Sequence, residues 1–250
     1  MLTARAFRKL HFHAIQADYY DDPETGKPRE IDVSASMQTE TNDTLFVVRF
    51  CIECKLARDK PWVIFTSSDI KLADPARIVQ RAASSLGHAL LENIHKLEDI
   101  RNLPVFLIPE RPGYGLTQSF TNGQDTPYAA IMSAAKAAIA EANDADRFSK
   151  LVAPVCAIVF PVVVIDGLLL ECYLDERNQM MVEEVQRGIL VWRSQIVGMP
   201  HTIVHVITLQ ALDDFVHEAE KTSLALLLTC DKELAEIVKS LPKKSYKMKK

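Results

Sequence analysis

The sequence predicts an α/β fold, a mixed β-sheet flanked by helices with an extended β-rich C-terminal half. Three observations carry that expectation. Runs of β-forming residues with two-residue alternation are interleaved with stretches of helical periodicity along the chain, as in layered α/β architectures. The 250 residues, 48% hydrophobic and 25% charged, are enough for one large core. No internal repeat or linker divides them, so residues 1–242 are expected to form a single domain.

A short basic helix opens the chain at residues 2–10, with Arg5, Arg8 and Lys9. Residues 11–20 read as strand, and Asp21-Asp22-Pro23-Glu24-Thr25-Gly26-Lys27-Pro28 as a turn. From 30 to 38 the chain alternates, with Ile31, Val33, Ala35 and Met37 on one face and Glu30, Asp32, Ser34 and Ser36 on the other. Asn42-Asp43 turns into a strongly β-forming run, 45–56, and a third strand covers 62–66. Asp74-Pro75 supplies an N-cap and a first-turn proline, and apolar residues at helical spacing extend a long helix over 75–99. A short strand at 105–108 precedes a polar loop at 109–126, and Thr126-Pro127 opens an alanine-rich helix to about Phe148. Beyond it, 156–165 and 168–174 flank Asp166-Gly167, a tight hairpin signal. Residues 180–185 and 188–192 form another pair, 201–208 a further strand, and helices cover 211–221 and 231–240.

Composition narrows the function classes. The N-terminus has no apolar stretch of secretory type, and the longest apolar run, 152–165, is too short to span a bilayer and contains Pro154 and Pro161. Five cysteines without an export signal fit a reducing, cytoplasmic location with no membrane partner. The formal charge of −4 gives no overall positive field. Lys243, Lys244, Lys247, Lys249 and Lys250 form a basic tail, expected to be disordered, and without those five lysines the charge falls from −4 to −9.

The candidate chemistry lies between Glu30 and Lys55. In the run 45–56, Phe46, Val48, Phe50, Ile52 and Cys54 make an apolar face, while Glu53 and Lys55 stand on the other. Charged side chains in such a strand are costly unless paired or used. If 30–38 and 45–56 pair as a hairpin, Asp32 meets Glu53 and Lys55 at one rim of the sheet. Two carboxylates side by side repel, and a hard dication that keeps most of its waters relieves them.

Asp32, a turn, then Glu53-Cys54-Lys55 resembles the D…(D/E)xK signature of the PD-(D/E)XK nuclease superfamily, the restriction-endonuclease-like fold. The resemblance covers about the first 110 residues, where the order helix, three-strand meander, helix, strand is similar to that superfamily's core. It implies a metal-dependent nuclease acting on DNA, with Mg²⁺ or Mn²⁺ held by Asp32 and Glu53 and by the Cys54 carbonyl. Lys55 is implied to assist the attacking water or the phosphate. Many members carry an acid on the first helix; residues 2–10 have none, which leaves the number of metals open, and Glu30 is a substitute on the face of Asp32. Ile31 stands where proline is common.

Two other readings stand beside it: a non-catalytic binding or regulatory module of the same fold, and a chance motif, for which Asp32 and Glu53 lie far apart. Oligomerisation is compatible with each. Weaker signals have plainer explanations. Cys51 and Cys54 point to opposite faces of a strand, which argues against zinc. His88, Glu92 and His95 read as a solvated helix face, and His201 and His205 as structural histidines. Arg5, Arg8, Lys9, Lys27, Arg29, Lys55, Arg58 and Lys60 are candidates for a basic rim around Asp32.

Overall fold

Phe7 anchors the first helix to the sheet. Helix α1 (Leu2–Lys9) buries Ala4, Ala6 and Phe7, and the Phe7 ring lies 5.1 Å from Phe12 and 5.7 Å from Phe50. The computed structural model describes residues 1–41, 43–70, 74–119, 126–192 and 202–240. Strands β1 (His13–Asp21), β2 (Pro28–Thr41) and β3 (Thr44–Thr66) follow as an antiparallel meander. The chain continues through α2 (Asp74–Val79), β4 (Ala82–Ala83), α3 (Ser85–Ile94), α4 (Glu98–Arg101) and a 3-10 turn (Pro104–Phe106) to β5 (Gly113–Gln118). Helix α5 (Thr126–Leu151) then crosses the sheet and delivers β6 (Val155–Leu174) parallel to β3. Strands β7 (Met180–Glu184), β8 (Arg187–Trp192) and β9 (Thr202–Thr208) and helices α6 (Leu212–Thr229) and α7 (Asp231–Ser240) complete the described chain.

The fold is mixed α/β, with nine strands in one sheet and seven α-helices among the described residues. Helices cover both faces. The even residues of the first half of β3 and of β6, including Phe46, Phe50, Phe160 and Val164, pack with α1, α3, α6 and α7. The odd residues, including Val47, Cys51, Val159 and Val163, pack beneath α5. Fully buried Ala130, Ala134, Ala135, Ala137 and Ala138 bring α5 close to the strands, which larger side chains would prevent. Pairings of β3 with β5, β5 with β8, β8 with β9, β9 with β6 and β6 with β3 close a ring.

Several elements differ from the sequence expectation. The helix expected over 75–99 is broken: Ser84 Oγ accepts from the Gly87 N–H and from the Ala157 N–H and donates to the Val155 carbonyl, which stitches β4 onto β6 and starts α3 afresh. Residues 104–106 form a 3-10 turn where a strand was expected, and β5 occupies the expected loop. Asp166-Gly167 makes no hairpin, because β6 runs straight through it. The expected strands at 45–56 and 62–66 are one strand, β3, with an irregularity between Ala57 and Trp62. Strand β7 pairs with β6, and β8 with β9, so the two do not pair with each other. His201, the lysine tail and residues 120–125 of the expected loop lie outside the described residues.

Candidate active site at the end of the β2–β3 ladder

The β2–β3 ladder runs from Thr41 opposite Thr44 to Val33 opposite Ile52. One step further along this register sets Asp32 beside Glu53. At that point β2 leaves β3, and the Asp32 side chain closes the ladder: its Oδ2 accepts the Cys54 N–H at 2.7 Å. A residue's N–H and C=O point toward the same neighbouring strand, so the Cys54 carbonyl also faces the side from which Asp32 approaches.

Glu53 shares the face of Cys51 and Val47, under α5, and is only 7% exposed. Two donors hold it. Lys55 Nζ donates to Oε1 at 2.5 Å, and Ser133 Oγ, from α5, donates to Oε2 at 2.9 Å. Tyr20, from β1, donates its hydroxyl to the Ser133 carbonyl at 3.4 Å. One turn along α5, Lys136 binds Asp22 at 3.2 Å and also Glu24, which ties the β1–β2 turn to the helix. The site therefore draws on β1, β2, β3 and α5.

Burial pushes the Glu53 carboxyl above its ordinary range; the Lys55 ammonium and the Ser133 hydroxyl oppose that shift and the neighbouring Asp32 charge adds to it. Burial likewise raises the Tyr20 phenol and the Cys54 thiol. At Asp22 burial works against ionisation, but the backbone N–H groups of Glu24 and Thr25 and the Lys136 ammonium prevail, and its pKa is lowered.

Asp32, Glu53 and Lys55 thus lie together as the sequence expected, and the far-apart arrangement of a chance motif is not found. Glu30 is exposed and pairs opposite Tyr19 in the β1–β2 ladder, two residues before Asp32. Several members of the expected basic rim are engaged within the protein. Arg8 donates to the Ala14 carbonyl, Arg29 pairs with Asp22 and Arg58 with Asp166. Cys51 and Cys54 do pack on opposite faces, and all five cysteines are free. A cleft of about 1310 Å³, whose lining includes Phe65, Tyr114, Tyr128 and Trp192, contains none of Asp32, Glu53 and Lys55.

Among the described residues no three His, Cys, Asp or Glu side chains gather into a metal site. A cage built wholly of side chains is therefore not what these residues offer. Two carboxylates, one of them buried and reluctant to ionise, with a backbone carbonyl on the same side, fit a hard dication that keeps several waters. Tyr20 and Ser133 were not legible as site residues. They lie far in sequence from the motif, and the only cue to Ser133 is a hydroxyl and a lysine three residues apart in an alanine-rich helix. Comparison with protein-family models, with curated proteins and with solved structures finds no match for this chain.

Proposed function

We propose that this protein is a divalent-metal-dependent nuclease of the PD-(D/E)XK type that hydrolyses phosphodiester bonds of DNA. The meeting of Asp32 with Glu53 and Lys55 where β2 leaves β3 carries this reading. The topology is compatible with it once α2, β4, α3, α4 and β5, which stand between β3 and α5, are treated as an insertion: helix α1, the antiparallel meander β1–β3, the crossing helix α5 and the strand β6 parallel to β3 then give helix, three strands, helix, strand. The closing helix and strand are α5 and β6, not segments within the first 110 residues.

Asp32, Glu53 and the Cys54 carbonyl would hold Mg²⁺ or Mn²⁺, which supplies Lewis-acid stabilisation of charge on the phosphate. The chain's own contribution starts with position. Asp32 is held by the Cys54 N–H and Glu53 by Ser133 and Lys55, so both carboxylates are positioned before any substrate binds. The Lys55 side chain is 30% exposed and stands between Glu53 and solvent, where its ammonium can meet a phosphate oxygen or orient a water. In the net reaction a water oxygen bonds to phosphorus, one P–O ester bond breaks, and the departing oxygen takes up a proton.

One observation favours a non-catalytic binding module instead: both Glu53 oxygens and Asp32 Oδ2 are already satisfied within the protein, and α1 carries no acid. Mg²⁺ titration with supercoiled, linear duplex and single-stranded DNA separates the two readings. The nuclease reading expects cleavage that Asp32→Ala and Lys55→Ala each reduce at least about 100-fold without loss of the folded state, in the range found for removing one transition-state-stabilising group. Unchanged cleavage in both variants removes the site. Absence of cleavage in the wild type, with no metal-dependent rise in its melting temperature, leaves the binding module.

A further inference from the structure

We infer that Ser133, on α5, is a positioning residue for the metal-binding carboxylate Glu53, so that the crossing helix and the strand pair together set the affinity of the site for a divalent cation. This rests on the nuclease reading above and adds a residue outside the D…ExK motif.

The inference starts from the geometry of one carboxylate. Glu53 projects from β3 into the layer beneath α5, where it is almost wholly shielded from water. A glutamate has three rotatable bonds, and a shielded one without directional partners would be poorly placed to ligate. Lys55 alone does not fix it, since a single contact to Oε1 leaves the carboxylate plane free to turn about that bond. The Ser133 hydroxyl supplies the second point, 2.9 Å from Oε2. Two donors on the two oxygens define the plane.

Ser133 is itself held. It lies on the helix that Ala130, Ala134 and Ala137 press onto the sheet, so its height above β3 is set by packing. The Tyr20 hydroxyl reaches the Ser133 carbonyl from β1. Lys136, one turn on, pins the same helix to Asp22 and Glu24 in the β1–β2 turn. A short hydroxyl on a rigidly seated helix is a precise donor, and groups that orient a ligating carboxylate typically change metal affinity by about 10–100-fold.

The test uses the full-length chain and Mn²⁺ as the probe, with free Mn²⁺ measured by electron paramagnetic resonance in the absence of DNA. Ser133→Ala is expected to weaken Mn²⁺ binding about 10-fold or more, and Ser133→Thr, which keeps the hydroxyl, to restore most of it. In cleavage assays Ser133→Ala is expected to raise the Mg²⁺ concentration needed for half-maximal rate and Ser133→Thr to bring it back toward wild type, a rescue by the hydroxyl that loss of helix packing alone would not produce. Circular dichroism establishes that the variants are folded. If the wild type binds Mn²⁺, Asp32→Ala abolishes that binding and Ser133→Ala equals wild type, the positioning role falls while the metal site stands. If the wild type binds no Mn²⁺, the metal site and this role fall together.

Discussion

His205 and Arg81 show what a single unpaired polar group does inside this fold. Arg81 is fully buried between the Phe106 and Phe160 rings, 5.4 and 5.6 Å from its guanidinium carbon. It donates to the Val105 carbonyl at 3.3 Å, while Nε and Nη1 have no partner. His205, buried in β9 beside Phe215, also leaves Nε2 without a partner. Burial, reinforced by the charges of Arg81 and Arg187, pushes the imidazole down to about 3 from 6.5. Between those values the unfolded chain binds a proton that the folded chain refuses. Stability attributable to this group is therefore complete above pH 6.5 and is lost as pH falls toward 3, with a slope approaching about 1.4 kcal/mol per pH unit. Urea-unfolding midpoints measured from pH 7 to pH 4 should fall less steeply in His205→Gln than in wild type. Arg81→Met should also reduce the slope, because it removes a positive charge that holds the imidazole neutral. Equal slopes in all three chains would refute the assignment. Sequence reads His205 as a satisfied structural histidine; it is buried, but its Nε2 has no partner, and nothing local reveals that its neighbour is a buried arginine with two unbonded nitrogens. The same limit applies at the site: Asp32, Glu53 and Lys55 are legible because strand parity and hairpin register suffice to bring them together, whereas Ser133 depends on where a distant helix lands.

At the scale of elements, the Asp166-Gly167 pair shows why local turn chemistry misleads. The dipeptide is a strong hairpin signal in isolation, yet β6 continues through it beside β3. The reason is close approach. A Cβ on Gly167 would sit 2.3 Å from the Ala57 carbonyl oxygen, so glycine lets the two backbones touch where β3 becomes irregular after Ala57. Asp166 is used as well, since Arg58 from that irregular stretch binds its carboxylate. Gly167→Ala is expected to cost roughly 2–4 kcal/mol through forced separation of the strands. Gly115→Ala is the internal control: the nearest atom to its Cβ would be Phe65 Cδ2 at 3.6 Å, an ordinary contact, and its melting temperature should stay close to wild type. A Gly167→Ala variant as stable as the Gly115→Ala control would show that the strands do not touch there. The β2–β3 hairpin was legible because two β-forming runs flank the Asn42-Asp43 turn signal, whereas the expected meander of 30–38, 45–56 and 62–66 was not found, since the last two runs are one strand and β1 supplies the third. The second half was not legible, because β6 is apolar on both faces and its partners β3, β4, β7 and β9 come from all along the chain.

For the whole molecule, the question is how a chain of formal charge −4 would hold an anionic polymer. Many cations of the folded body already have acidic partners. Lys55 binds Glu53, Arg49 binds Glu141, Lys136 binds Asp22 and Glu24, Arg58 binds Asp166, Arg111 binds Glu171 and Arg187 binds Glu218. A cation neutralised in this way offers little to a phosphate backbone, and residues 1–242 carry a formal charge of −9 once the five terminal lysines are set aside. Sequence-independent attraction then falls chiefly to Lys243, Lys244, Lys247, Lys249 and Lys250. Each phosphate neutralised on duplex DNA contributes a slope of about −0.9 to log affinity against log salt. Ending the chain at residue 242 is therefore expected to flatten that slope by up to about 4.5, and to weaken binding most at low salt. Fluorescence anisotropy of a labelled duplex across a salt series measures it. Cleavage at saturating DNA should change little, because Asp32, Glu53 and Lys55 are untouched. If truncation leaves the salt slope as it was, phosphates are held by the folded body, where Arg5, Lys9 and Lys27 are exposed cations.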